Sequence, residues 1–85
     1  MNTKILVVDD DKVTLKMLEK SLSGNGFSLA QATCGKDAVF LAKNWRPDLI
    51  VLDIMMPEMD GCEAAEILKR NPDTRHIPII FLTSL

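Results

Sequence analysis

The chain has 85 residues, 47% of them hydrophobic, with ten basic and twelve acidic side chains and a net charge of −2. That is enough for one small globular domain, and the even charge balance leaves no polybasic surface for nucleic acid. No apolar run approaches the roughly 20 residues that span a bilayer, and the opening MNTKILVVDDD has neither the apolar core nor the cleavage site of a signal peptide, so a soluble cytoplasmic domain is expected.

The first element in chain order is the run ILVV at 5–8, continuous and rich in branched residues, which reads as a strand covered on both faces. Three carboxylates, Asp9, Asp10 and Asp11, follow it directly. Leu15, Leu18 and Leu22 then share one helical face, with Val13 and Met17 beside them, until Gly24 and Gly26 end the helix. In FSLAQA at 27–32, Phe27 and Leu29 alternate with Ser28 and Ala30, as in a less covered edge strand. Ala38, Leu41, Ala42 and Trp45 recur at helical spacing, with Trp45 expected in the core, before RPD breaks the pattern. LIVL at 49–52 is a second doubly covered strand and ends in Asp53. Ala64, Ile67 and Leu68 mark a third helix, with Asp60 placed to cap it and NPDTRHIP to end it. The last run, IIFL at 79–82, precedes Thr83. Cys34 and Cys62 are too few and too far apart for a disulfide framework or a zinc site, and buried reduced thiols are expected. His76 has no base or second ligand near it in sequence and reads as a solvated loop residue.

Strict alternation of strand and helix with short connections predicts an open, doubly wound α/β sheet of parallel strands. Ligands bind such sheets beyond the carboxyl ends of the strands, where the strand order reverses. If the first and third strands are neighbours, Asp9, Asp10 and Asp53 converge there. Carboxylates that close raise one another's pKa unless a cation sits among them. Magnesium suits the position, because it needs only one or two carboxylates and keeps waters that a phosphate can replace. A phosphoryl donor could then be drawn onto a carboxylate oxygen, with the Thr83 hydroxyl bonding a phosphoryl oxygen. The run DDD by itself reads equally well as the N-cap of the first helix; Asp53 and Thr83 at matching strand ends favour a site.

ILVVDDD, LIVLDIMMPEMDG and IPIIFLTS together resemble the signature blocks of response-regulator receiver domains, the phospho-accepting half of two-component signalling, and the resemblance covers all 85 residues. It implies the flavodoxin-like receiver fold, with Asp53 as phosphoacceptor. Asp10, Asp53 and the backbone carbonyl of Met55 would hold Mg²⁺, and Asp9 would support it through water. Thr83 would be the switch hydroxyl, and Pro57 and Gly61 would shape the turn after the acceptor. Pro57 also biases Met56 toward extended backbone on physical grounds alone. The implied partner is a histidine kinase or phosphotransfer protein, and the implied role is that of a receiver rather than an enzyme.

The family pattern continues past Thr83 with a further helix, strand and helix, including a lysine that contacts the phosphoryl group. The expectation for residues 1–85 is therefore a single receiver domain truncated after its fourth strand. That strand, apolar on both faces, would be an exposed edge open to pairing with another chain. A homodimer or exchanged dimer through this edge is expected, or completion by a separate segment. Two other readings compete. One is an assembly fragment without phospho-signalling. The other takes VVDDDKV as the strand and Asp-x-Asp of a haloacid-dehalogenase-type phosphohydrolase, with Asp9 as nucleophile and Asp11 as general acid, but it leaves DIMMPEMDG unexplained.

Overall fold

The computed structural model describes residues 2–56 and 59–82. The expectations for Pro57 and Thr83 lie outside the described residues. Along the chain run β1 (Lys4–Val8), α1 (Lys12–Leu22), β2 (Ser28–Ala32), α2 (Gly35–Asn44), β3 (Leu49–Asp53), α3 (Gly61–Arg70) and β4 (Ile79–Leu82). The strands form one parallel sheet in the order β2-β1-β3-β4. From β1 the chain first steps outward to β2, then crosses back to β3 on the other side. The reversal falls between β1 and β3, the adjacency on which the convergence of Asp9, Asp10 and Asp53 depended.

Side chains alternate across each strand, and each face of the sheet carries its own core. Leu6, Val8, Ile50 and Leu52 pack with Ala38 and Ala42 of α2 and with Ala64, Ala65 and Leu68 of α3. Ile5 and Val7 point the other way and pack with Leu15 of α1. Leu6, Ile50, Leu52 and Leu68 are fully buried, and each such side chain stabilises the fold by roughly 1.5–3 kcal/mol relative to exposure. Because α1 alone among the described helices lies on its face, only Leu15 of that helix is buried, while Val13 and Met17 are each 65% exposed.

Three expectations are corrected. Phe27 precedes β2 rather than belonging to it and is exposed. Ile67 is exposed, because the buried stripe of α3 runs through Gly61, Ala64, Ala65 and Leu68 and leaves position 67 at its margin. The cysteines are not buried: Cys34 is half-buried at the N-cap of α2, and Cys62, outside the α3 stripe, is exposed. Trp45 packs against the larger core as the C-cap of α2, and β2 is an edge strand as its alternation implied. At the opposite margin of the described sheet, β4 carries exposed Ile80 and Phe81.

Candidate functional site

Val8 of β1 pairs with Leu52 of β3. One step further along this register, Asp9 comes beside Asp53, in parallel strands that run about 4.7–4.9 Å apart. The Asp9 amide prolongs the β1–β2 ladder by donating to the Ala32 carbonyl at 3.1 Å. Asp10 then leaves the sheet toward solvent. Carboxylate oxygens of Asp9, Asp10 and Asp53 all lie within 4.8 Å of one another, with Asp9 and Asp53 buried and Asp10 exposed at the mouth.

The run of three aspartates divides between the cluster and the helix start. Asp9 and Asp10 turn into the cluster. Asp11 turns to α1, where one carboxylate oxygen accepts from the Val13 amide at 3.0 Å and the other from the Thr14 hydroxyl at 3.1 Å. The capping reading thus holds for Asp11, while Asp9 and Asp10 join Asp53 in the carboxylate cluster.

Asp53 is braced from the loop that follows it, since its Oδ1 accepts from the Met55 amide at 3.2 Å. The Ile54 amide donates to the Leu82 carbonyl at 3.2 Å, and the Ile54 carbonyl accepts from the Gly61 amide at 2.9 Å. Met56 is buried in the larger core and Met59 packs against it, while Met55 is 69% exposed. Two of the three loop methionines are thus packing residues. Asp60 caps α3 as expected, accepting from the Glu63 amide at 2.9 Å.

Burial is the main cause that pushes the Asp9 carboxyl above its ordinary pKa. The Asp11 amide, which donates to Asp9 Oδ1 at 2.9 Å, pulls it down, and the charges of Asp53 and Asp10 push it up. A carboxyl held up in this way gains from a cation. The donor set is all oxygen, two of the three carboxylates are shielded from water, and the cluster repels itself when empty of positive charge; the residues fit a hard divalent ion.

Two features escaped sequence reasoning. The first is the close approach of Gly61 to the backbone of Asp53 and Ile54, for which the signal was a glycine directly after a capping aspartate. The second is which of the three aspartates serves as the cap: the N-cap reading of the run did not single out Asp11, which the spacing to the Thr14 hydroxyl could have done.

A doubly wound parallel sheet with an oxygen-only carboxylate cluster at its switch point defines a class of α/β domain whose ligand site lies beyond the carboxyl ends of its strands and suits a hard cation. Within that class, residues 5–85 match the family described as response regulator receiver domain, and the chain belongs to that family. It is 41% identical over 85 residues to the response regulator PleD of Caulobacter vibrioides, covering all of this chain and 19% of that protein. The chain thus spans about a fifth of that relative. The fold is similar to the N-terminal domain of a response regulator receiver protein from Methanoculleus marisnigri JR1, with a TM-score of 0.93, 38% identity, and coverage of 96% of this chain and 67% of that one. It is also similar to the receiver domain of sensor histidine kinase PA1611 from Pseudomonas aeruginosa PAO1, whose structure holds a magnesium ion in the active site cleft (TM-score 0.91, 31% identity, 98% of this chain and 68% of that one). Membership implies a part in phospho-accepting signalling, and none of the described helices is long and apolar enough to cross a membrane.

Proposed function

We propose that this chain accepts a phosphoryl group on Asp53 from the phosphohistidine of a histidine kinase or phosphotransfer protein, with Mg²⁺ bound at the carboxylate cluster. The observation that carries this reading is the convergence of Asp9, Asp10 and Asp53 at the β1/β3 switch point. Asp10, Asp53 and the Met55 carbonyl would hold the ion, with Asp9 acting through water. When bound, the ion neutralises charge on the transferred phosphoryl group. Asp53 supplies the nucleophile: a carboxylate oxygen forms the new O–P bond as the P–N bond of the donor breaks. The donor imidazole leaves with that electron pair and takes up a proton. The Met55 amide holds Asp53 Oδ1 in place, and the surrounding core keeps the acceptor recessed from bulk water. The chain is read as a substrate of its partner rather than an enzyme, acting in the cytoplasm without nucleic acid.

The test is intact mass after incubation with Mg²⁺ and acetyl phosphate, with Asp53→Asn alongside. One added phosphoryl group, dependent on Mg²⁺ and absent from the variant, is the expected result. Loss of the modification in Asp9→Asn but not in Asp53→Asn would instead favour the phosphohydrolase reading.

A second reading concerns assembly, and the exposure of Ile80 (52%) and Phe81 (43%) on β4 supports it. An apolar strand at a sheet margin pairs readily with another chain, so a homodimer or exchanged dimer through β4 is proposed. Light scattering across a dilution series should give twice the chain mass, and Ile80→Lys should return the monomer. A wild-type monomer at every concentration overturns the dimer.

A further inference from the structure

We propose that Asp11 is a positioning residue for the cation site, an inference that rests on the metal-binding reading above. The argument concerns how Asp10 is held. Among the described residues no protein hydrogen bond fixes the Asp10 side chain, and the residue is exposed. Its place is therefore set by the main chain on either side. On one side, Asp9 is tied into the sheet through its amide and the Ala32 carbonyl at 3.1 Å. On the other side stands Asp11, which makes four hydrogen bonds through its amide, carboxylate and carbonyl. Its amide donates to Asp9 Oδ1 at 2.9 Å. Its carboxylate accepts from the Val13 amide and the Thr14 hydroxyl. Its carbonyl accepts from the Leu15 amide at 3.1 Å, and Leu15 is buried against the sheet.

Asp11 thus couples the orientation of the Asp9 carboxylate to the anchored start of α1, with Asp10 suspended between them. The coupling matters because the cluster opposes its own geometry. Three carboxylates this close repel, and a loosened turn would let Asp10 swing outward, taking a ligand away from the ion. Groups that orient metal ligands without touching the metal typically govern affinity by about 10–100-fold. The Asp11 side chain contributes through the helix cap and not through its charge, since both its oxygens are engaged with α1.

The experiment is calorimetric titration of the chain with Mg²⁺, comparing wild type with Asp11→Asn, Asp11→Ala and Asp11→Gly. Asparagine caps helices as well as aspartate does, while alanine removes the cap. Glycine removes the same side chain at a smaller cost to the helix, and serves if the alanine variant does not fold. Leu22→Ala loosens the far end of α1 without touching the turn and is the control for general destabilisation. The expected result is wild-type-like affinity for Asp11→Asn and Leu22→Ala, and affinity weaker by about ten-fold for Asp11→Ala and Asp11→Gly. Wild-type affinity in the cap-less variants overturns the proposal. So does equal weakening in Asp11→Asn, which would make the effect one of charge, or in Leu22→Ala, which would make it one of helix stability. A wild-type chain that binds no Mg²⁺ overturns the metal-binding reading itself, an outcome separate from any difference among the variants.

Discussion

Gly61 lies flat against the backbone of the acceptor: a Cβ at this position would overlap the Asp53 carbonyl oxygen and stand 2.8 Å from the Ile54 Cα and 2.9 Å from the Asp53 carbonyl carbon. These are backbone atoms of β3 and the turn after it, and they cannot swing aside as a flexible side chain could. The Gly61 amide also donates to the Ile54 carbonyl at 2.9 Å, so the contact and the hydrogen bond share one close approach. Gly61→Ala must push α3 away or push the Asp53 carbonyl back. We expect destabilisation by about 1–3 kcal/mol, as for other overpacked sites, together with slowed phosphoryl uptake. Urea unfolding and the acetyl phosphate mass assay measure the two effects. Gly24 is the contrasting site, with φ +83° and open space around it; Gly24→Ala should lower stability through backbone strain alone and leave phosphoryl uptake unchanged.

The raised pKa of Asp9 sets the sign of a pH dependence. Below the ordinary value of 3.8, Asp9 is protonated in the folded and unfolded chain alike. Between that value and the raised native one, only the folded chain keeps the proton. The folded state then binds more protons, so the contribution of Asp9 to stability falls as pH rises through this window and is lost above it. In chelator, Asp9→Asn should remove this fall and leave the metal-free chain more stable than wild type at neutral pH. Urea midpoints measured on both sides of the window test this, and parallel curves for the two proteins would sink it.

Cation binding should act in the opposite direction. An ion that binds only the folded chain stabilises it by about 2.7 kcal/mol at 100 times its Kd, and about 1 kcal/mol moves the Tm of a chain of this size by roughly 4–8 °C. Excess Mg²⁺ should therefore raise the Tm of wild type well above its value in chelator. The gain should grow with pH as the proton leaves Asp9, since the charged Asp9 carboxylate attracts the ion across the bridging water and the protonated one does not. Asp10→Asn should abolish most of the gain while leaving the metal-free Tm unchanged or higher. A Tm that is the same with and without Mg²⁺ would remove the cation from the site.

What could be read before folding depended on whether a feature was carried along the chain or across it. The runs at 5–8, 49–52 and 79–82 are continuous and branched, so their character as strands is local. Coverage is not: β1 and β3 are covered as their composition implies, whereas Ile80 and Phe81 leave β4 exposed. Parallel pairing with a reversal beside β1 then brings Asp9 next to Asp53 by register alone. Features that depend on the rotation of a helix about its own axis were not legible. Ile67 fits an apolar stripe at helical spacing, yet Gly61 draws α3 so close to β3 that the buried line passes through the small residues Ala64 and Ala65 instead. The same rotation leaves Cys62 exposed. The division of Asp9, Asp10 and Asp11 between cluster and cap likewise rests on where the chain leaves the sheet.

The loop NPDTRHIP, polar in sequence, hides a second structural device. Thr74 in this loop is fully buried, and its hydroxyl donates to the Leu68 carbonyl at 2.7 Å. That carbonyl is among the last four of α3, which have no partner within their own helix. The Thr74 carbonyl accepts from the amide of Ile77, itself buried in the larger core, and Lys69 Nζ donates to the Ile77 carbonyl at 2.8 Å. The end of α3 is thereby fastened to the start of β4, which in turn bonds β3 up to the turn after Asp53. Thr74→Val keeps the shape and removes the donor, stranding a buried acceptor at a cost of about 1–3 kcal/mol. Thr74→Ser keeps the hydroxyl and should retain that part of the stability, losing only the methyl contribution. Urea unfolding of both variants measures the difference. If valine proves as stable as threonine, water must reach the Leu68 carbonyl, and the fastening of α3 to β4 rests on Ile77 and Lys69 instead.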